Sequence, residues 1–299
     1  MRTFTNTLRE HAAALRLLIA LTVILGVVYP LAVTAVAQVP GLKARADGST
    51  ISRNGQVVGS TLLGQNFLDA KGNPLPQYVQ PRPSAAGATG YDPTASAASN
   101  LGPESIVDTL PDPSVKDDTG TPSLLTQVCA RSVAIGRLDG VSGARPFCTA
   151  DGVGAVLGVF WSGPGYHGRI TRVVSLDQSA PAEPFLSTYH GVAVKVAMFG
   201  QDYSLAQVVP IRGTAPSTPA VPADAVTASG SGLDPEISPA YAAIQEKVVA
   251  RTRGITVAQV AAVVRGFTSG RDLGFIGEAK VNVLRINLAL DAAYPTPAK

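Results

Sequence analysis

From Leu17 to Val39 the chain carries no charged residue. About 23 residues at about 1.5 Å each exceed the ~30 Å hydrocarbon thickness of a bilayer. A cleaved secretory signal is the competing reading, but its apolar core runs about 7–15 residues, and Ala35-Val36-Ala37 is the only cleavage-like tripeptide here. The expectation is a retained transmembrane helix at 17–39 behind a short tail at 1–16. Pro30 removes one helical hydrogen bond and predicts a kink, tolerated where neighbouring protein helices repair it. Gly26, Ala32, Thr34 and Ala35 are small enough for such neighbours to approach closely. Arg2, Arg9 and Arg16 precede the span while Lys43, Arg45 and Arg53 follow it, a close balance. A short basic tail makes N-in, C-out the simpler insertion. The expected protein is therefore single-pass, with a cytoplasmic N-terminus and an extracytoplasmic main domain.

The remainder is long enough to bury one or two cores, since 45% of the 299 residues are hydrophobic. Only 15% are charged and the net charge is +3, which excludes a nucleic-acid-binding surface. His11, His167 and His190 are too few and too scattered for a metal site, so no metal is expected. Cys129 and Cys148 share one local segment without zinc-ligand spacing. They read either as unrelated free thiols or as a disulfide, the latter favoured if the segment lies in an oxidising compartment.

Residues 40–103 contain short strand-like pieces, such as Gln56–Phe67, cut by turn-forming Gly, Pro and Asn. Residues 104–220 begin polar and rich in Pro, Asp and Thr. They continue through β-like runs at Gly152–Trp161, Arg169–Leu176 and His190–Phe199, and end in a linker near Thr214–Pro222. This stretch reads as an inserted small β-rich unit. In 221–299, Ser238 and Pro239 form an N-cap and first-turn pair, Tyr241, Ile244, Val248 and Val249 recur at helical spacing, and Gly254 ends the helix. Thr256 and Gln259 form a capping box for a second helix carrying Val260, Val263, Val264 and Phe267. Beyond Gly277, Leu284, Ile286, Leu288 and Leu290 alternate with Arg285, Asn287 and Ala289 and predict a half-buried closing strand. The fold class is α+β with a β insertion.

Few motifs suggest chemistry. Ser229-Gly230-Ser231-Gly232-Leu233-Asp234-Pro235 reads either as an anion cradle before a helix or as a tight turn with Asp234 capping a helix that starts at Pro235. No P-loop lysine accompanies it. Gln245 falls off the apolar stripe of its helix, as a solvated glutamine or a ligand contact. Asp117-Asp118-Thr119-Gly120-Thr121 imitates a P-type phosphorylation loop but lacks the lysine, and Pro122 follows. Asp92, Ser99 and His190 form no triad by pattern, since no Gly-x-Ser-x-Gly elbow brackets Ser99. Trp161, Tyr166 and His167 make either a partner patch or an ordinary aromatic turn. No nucleophile, base or metal constellation emerges, so no enzyme is expected.

Four segments carry a resemblance. They are Tyr78–Ala85, with Gln80, Arg82, Pro83 and Ser84; Ala98–Pro103, with Asn100, Leu101, Gly102 and Pro103; Thr227–Ala240, with Asp234, Pro235, Ser238 and Pro239; and Leu273–Leu284, with Gly277 and Asn282. In this order behind an N-terminal span, they are similar to the KdpC family, the C subunits of bacterial Kdp-type potassium-transporting ATPases. The resemblance covers roughly 10–103 and 220–291, and 104–220 departs from it. It implies a bacterial cell-membrane complex with a potassium-conducting A subunit, a P-type ATPase B subunit and a small F subunit, and no nucleic acid. It also implies a non-catalytic accessory role, either in assembly over the outer mouth of the A subunit or as a catalytic chaperone raising the ATP affinity of the B subunit. In the chaperone picture Gln245, with Ser229, Gly230, Ser231 and Gly232, contacts nucleotide. No cofactor is expected on the subunit alone, and ATP only within the complex. The alternative is a membrane-tethered extracytoplasmic binding protein with its own ligand.

Overall fold

A computed structural model describes residues 2–96 and 104–296, in two compact units, 1–62 and 63–299. In the first, α1 (Arg2–Val23), a π-helical turn (Ile24–Val28) and α2 (Tyr29–Ala37) follow without a break. Of this helix, Asn6–Ala37 is long and apolar enough to cross a membrane, and none of its apolar window is buried within the protein. The helix therefore begins well before the uncharged run. At Pro30 the sequence predicts a simple kink; the structure shows a π-turn immediately before it, where the Tyr29 N–H reaches the Ile24 carbonyl. Widening this turn accommodates a ring that would otherwise press on the carbonyl four residues earlier. After α3 (Lys43–Ala46) comes an antiparallel hairpin, β1 (Thr50–Arg53) and β2 (Gln56–Ser60). Asn54 and Gly55 turn it with φ of +53° and +77°, the left-handed pair that a tight hairpin requires.

The second unit opens with irregular chain and then α4 (Leu124–Asp139), a helix absent from the sequence reading of 104–220 as a β-rich unit. Ser123 caps it by accepting the Thr126 N–H, and Gly140 ends it at φ +69°. Its buried positions are Thr126, Cys129, Ser132, Gly136 and Asp139. Helical period is present, but on small and polar residues that no hydrophobicity pattern reveals. At Gly136 the loop after the helix comes so close that a Cβ would lie 2.6 Å from the Gly143 nitrogen.

The β-like runs fall on strands, as read: β3 (Val156–Gly163), β4 (His167–Ser179), β5 (Thr188–Tyr189), β6 (Val192–Ala197) and β7 (Gln207–Pro210). They form one sheet in the order β5-β6-β4-β3-β7, antiparallel except for the parallel β4–β6 pair. Leu157, Val159, Val173 and Val194 make its core. The chain continues through α5 (Ala223–Val226), β8 (Glu236–Ile237), α6 (Pro239–Arg253), α7 (Val257–Gly266), β9 (Thr268–Ser269), β10 (Lys280–Asn282) and α8 (Val283–Ala293). Strands β8, β10 and β9 form a small sheet, and the helices pack over a core that includes Val79, Tyr241, Val260, Ile286 and Leu290. Val128, Ile135 and Val141, from α4 and the loop after it, pack against that same core.

The predicted closing strand is a helix. The alternating apolar residues coincide with a 3.6-residue repeat once Val283 and Asn287 are counted, since Val283, Leu284, Ile286, Asn287 and Leu290 are the buried set. Asn282 starts α8 by accepting the Arg285 N–H. The caps read for α6 and α7 are present: Ser238, Gly254 and the Thr256–Gln259 box.

Candidate functional site

After a turn at Gln77 and Tyr78, residues 79–82 run beside α6 and α8 without regular secondary structure, so their backbone needs hydrogen bonds from elsewhere. Side-chain amides supply them. Asn287 accepts the Val79 N–H through Oδ1 and donates Nδ2 to the Val79 carbonyl, both at 2.9 Å. Gln245 does the same for Gln80, accepting its N–H at 2.6 Å and donating to its carbonyl at 3.2 Å. Arg253 donates Nε to the Gln77 carbonyl at 2.7 Å and pairs with Asp291 at 2.9 Å. Each of the three is nearly sealed, at 1%, 2% and 3% exposure respectively.

Gln245 therefore does not occupy the solvated face that its place off the apolar stripe suggests. Its Nε2 also donates to the Tyr241 carbonyl at 3.3 Å, so both ends of the amide are engaged inside the domain. Gln80 itself donates Nε2 to the Leu75 and Tyr78 carbonyls.

The neighbouring motif residues continue this framework. Arg82 pairs with Asp234 at 2.9 Å and donates to the Thr227 and Ala228 carbonyls. Ser84 donates to the Gly232 carbonyl at 2.6 Å and accepts the Tyr91 N–H, while the Tyr91 hydroxyl donates to the Arg82 carbonyl at 2.7 Å. Burial pushes the Tyr91 phenol up from its ordinary pKa, which keeps it a donor. Pro83 links Arg82 to Ser84. The Pro235 carbonyl accepts the Val283 N–H at 3.1 Å, tying the start of α8 to β8.

The Ser-Gly-Ser-Gly turn lies against Ala86. At Gly232, with φ +70°, a Cβ would stand 2.8 Å from that of Ala86, so the turn is filled by the chain's own backbone. Ser231 accepts the Leu233 N–H, Gly230 is exposed, and the Ser229 hydroxyl is buried with no partner among the described residues. No helix starts at Pro235. Asp234 instead accepts the Glu236 N–H, and α6 begins at Pro239 under the Ser238 cap. The Ser238 N–H, at 2.7 Å, and its hydroxyl, at 2.9 Å, already meet the Asp224 carboxylate, so this helix start carries an internal anion. Asp224, Arg253, Asn287 and Asp291 escaped the sequence reading, although Asn287 interrupts an apolar run where a polar residue needs a reason.

The other candidates stand apart. Gly277 lies in an exposed loop at φ +75°, and Asn282 caps α8. Asn100, Leu101, Gly102 and Pro103, like Ser99, lie outside the described residues. Cys129 and Cys148 are joined as a disulfide spanning 19 positions. Trp161 is half-buried and donates to Gln207, while Tyr166 and His167 are exposed at the following turn. Asp118 accepts backbone N–H groups of Asp112 and Gly120 in an exposed loop, which lowers its pKa. Among the described residues no three or more His, Cys, Asp or Glu side chains group as a metal site.

These features define a membrane-associated α+β protein whose motif side chains hold its own backbone together. The profile described as K+-transporting ATPase, c chain, matches residues 11–109 and 196–292. A potassium-transporting ATPase KdpC subunit from Kineococcus radiotolerans is 37% identical over 291 residues, 97% of each chain. Proteins of the same name from a Caulobacter species and Mycobacterium bovis are 37% and 33% identical, over 92% and 95% of this chain and 89% and 98% of theirs. The chain belongs to the KdpC family. The profile passes over 110–195, whereas the alignment with the Kineococcus relative spans nearly both full lengths, so that relative is long enough to carry the additional segment.

Proposed function

We propose that this chain is the non-catalytic accessory subunit of an ATP-driven potassium uptake complex. It is anchored by its apolar helix with the N-terminus cytoplasmic and the main domain exported. There it docks on the potassium-conducting A subunit and supports its assembly with the ATPase B subunit and the small F subunit. The observation that carries this reading is the engagement of Gln245: both ends of its amide are bonded to the backbone of Gln80 and Tyr241 in a sealed interior. A residue so placed builds the domain rather than meeting ATP, and any influence on nucleotide affinity passes through the assembled partners. The disulfide supports the exported placement, because such bonds persist in oxidising compartments.

The test is topological. Ala243 is exposed on α6, two residues from Gln245, and Ala243→Cys adds a lone thiol while the native disulfide stays unreactive. A membrane-impermeant maleimide is expected to label this variant in intact cells. Labelling only after lysis would place the domain in the cytoplasm and return nucleotide chaperoning to the foreground.

A further inference from the structure

A second feature of the main unit stands apart from the motif framework: a cavity of about 950 Å³ between the end of α4 with its following loop and two segments of the β unit. Arg137, Arg145 and Arg212 line it, no Asp or Glu does, and Phe185, Leu186 and Ile211 contribute an apolar wall. The volume lies within the range of small-molecule sites, which combine apolar walls with a few placed polar groups. Its cations are unevenly used. Arg212 is engaged in its own loop, donating to the Gly213 and Ala215 carbonyls and to Ser217. Arg145 donates to the Val221 carbonyl at 2.6 Å and the Pro222 carbonyl at 3.4 Å, and its Nε–H is enclosed, away from the cavity, with no acceptor among the described residues. Arg137 is exposed and has no hydrogen bond or ion pair among the described residues. A partly desolvated guanidinium beside an unpaired one, without a counter-charge in the wall, calls for an anion.

We infer that this cavity binds an organic anion, a phosphate or carboxylate carried on a compact apolar body. The charged end meets Arg137 and Arg145, and the apolar body lies on Phe185, Leu186 and Ile211. Burial already draws the Arg145 pKa downward, a cost that a bound anion offsets. The same chemistry is offered by a lipid headgroup or by a soluble metabolite.

Phenyl phosphate is the probe, titrated calorimetrically into the full chain held in nanodiscs of zwitterionic lipid. Saturable binding is expected, weaker for inorganic phosphate and absent for benzyl alcohol. Arg137→Glu is expected to weaken it about tenfold or more, and Arg137→Lys to restore most of it. Because Arg137 has no side-chain partner to lose among the described residues, these variants are expected to leave the fold intact, which thermal unfolding checks. In nanodiscs containing anionic lipid, a loss of apparent phenyl phosphate affinity assigns the site to headgroups, and unchanged affinity assigns it to a soluble anion. No saturable binding, equal binding of benzyl alcohol, or indifference to Arg137→Glu overturns the inference.

Discussion

A buried side-chain amide is an unusual substitute for a neighbouring strand, yet Gln245 and Asn287 serve adjacent residues in this way. Each offers a donor and an acceptor at the spacing of a peptide group, so each satisfies one backbone unit completely. Gln245→Ala strips both partners from the sealed Gln80 backbone. At about 1–3 kcal/mol per orphaned buried group, the expected loss is on the order of 2–5 kcal/mol. Denaturant unfolding of the detergent-solubilised protein, followed by circular dichroism, measures it. Unchanged stability accompanied by weakened ATP binding in the assembled complex would instead make Gln245 a ligand contact. The motif residues were legible from sequence, but their work was not. Gln80 and Gln245 stand 165 positions apart and Val79 and Asn287 stand 208 apart, and no local pattern links such partners.

At the scale of elements, legibility follows the kind of residue that faces inward. Helices α6 and α7 announce themselves through Ser238-Pro239, Gly254 and the Thr256–Gln259 box, and β3, β4 and β6 through their β-branched runs. Helix α4 stays hidden because its inner face is built from Thr126, Cys129, Ser132 and Gly136. Helix α8 misleads because four of its leucines and isoleucines fall on alternate positions. A pair of substitutions separates the two geometries there. In a half-buried strand Ile286 and Leu288 share one face and truncation costs are similar. In the helix Ile286 is fully enclosed while Leu288 is half-buried. Ile286→Ala is therefore expected to cost about 2–5 kcal/mol, and Leu288→Ala clearly less. Equal losses in chemical denaturation would restore the strand.

The whole domain also has a characteristic response to pH. Asp139 at the end of α4 and Asp177 on β4 are both buried, and burial pushes each carboxyl up to about 7 from 3.8. Asp139 has no hydrogen-bond partner among the described residues and lies within electrostatic reach of Tyr241 on α6. Asp177 accepts the Asp108 N–H on one oxygen, and its other oxygen is buried with no partner among the described residues. An acid whose folded pKa is raised stabilises the fold at low pH. Between about pH 4 and 7 the folded state holds the extra proton, so this contribution declines as pH rises and is gone above about 7. Asp139→Asn is expected to raise the melting temperature by a few degrees at pH 8 and hardly at all at pH 4. The same shift at both values would show that Asp139 does not titrate in this range.

The threaded segment at 77–82 also governs the order in which the domain can be completed. Its backbone is made early, while the amides that satisfy it lie on α6 and α8, far later in the chain. During synthesis it must wait, unpaired, until those helices emerge, and contacts of such long range slow the search. A nascent chain halted before Asn287 would leave the Val79 backbone without its amide partner, so chaperones have most to do in the interval just before α8 appears.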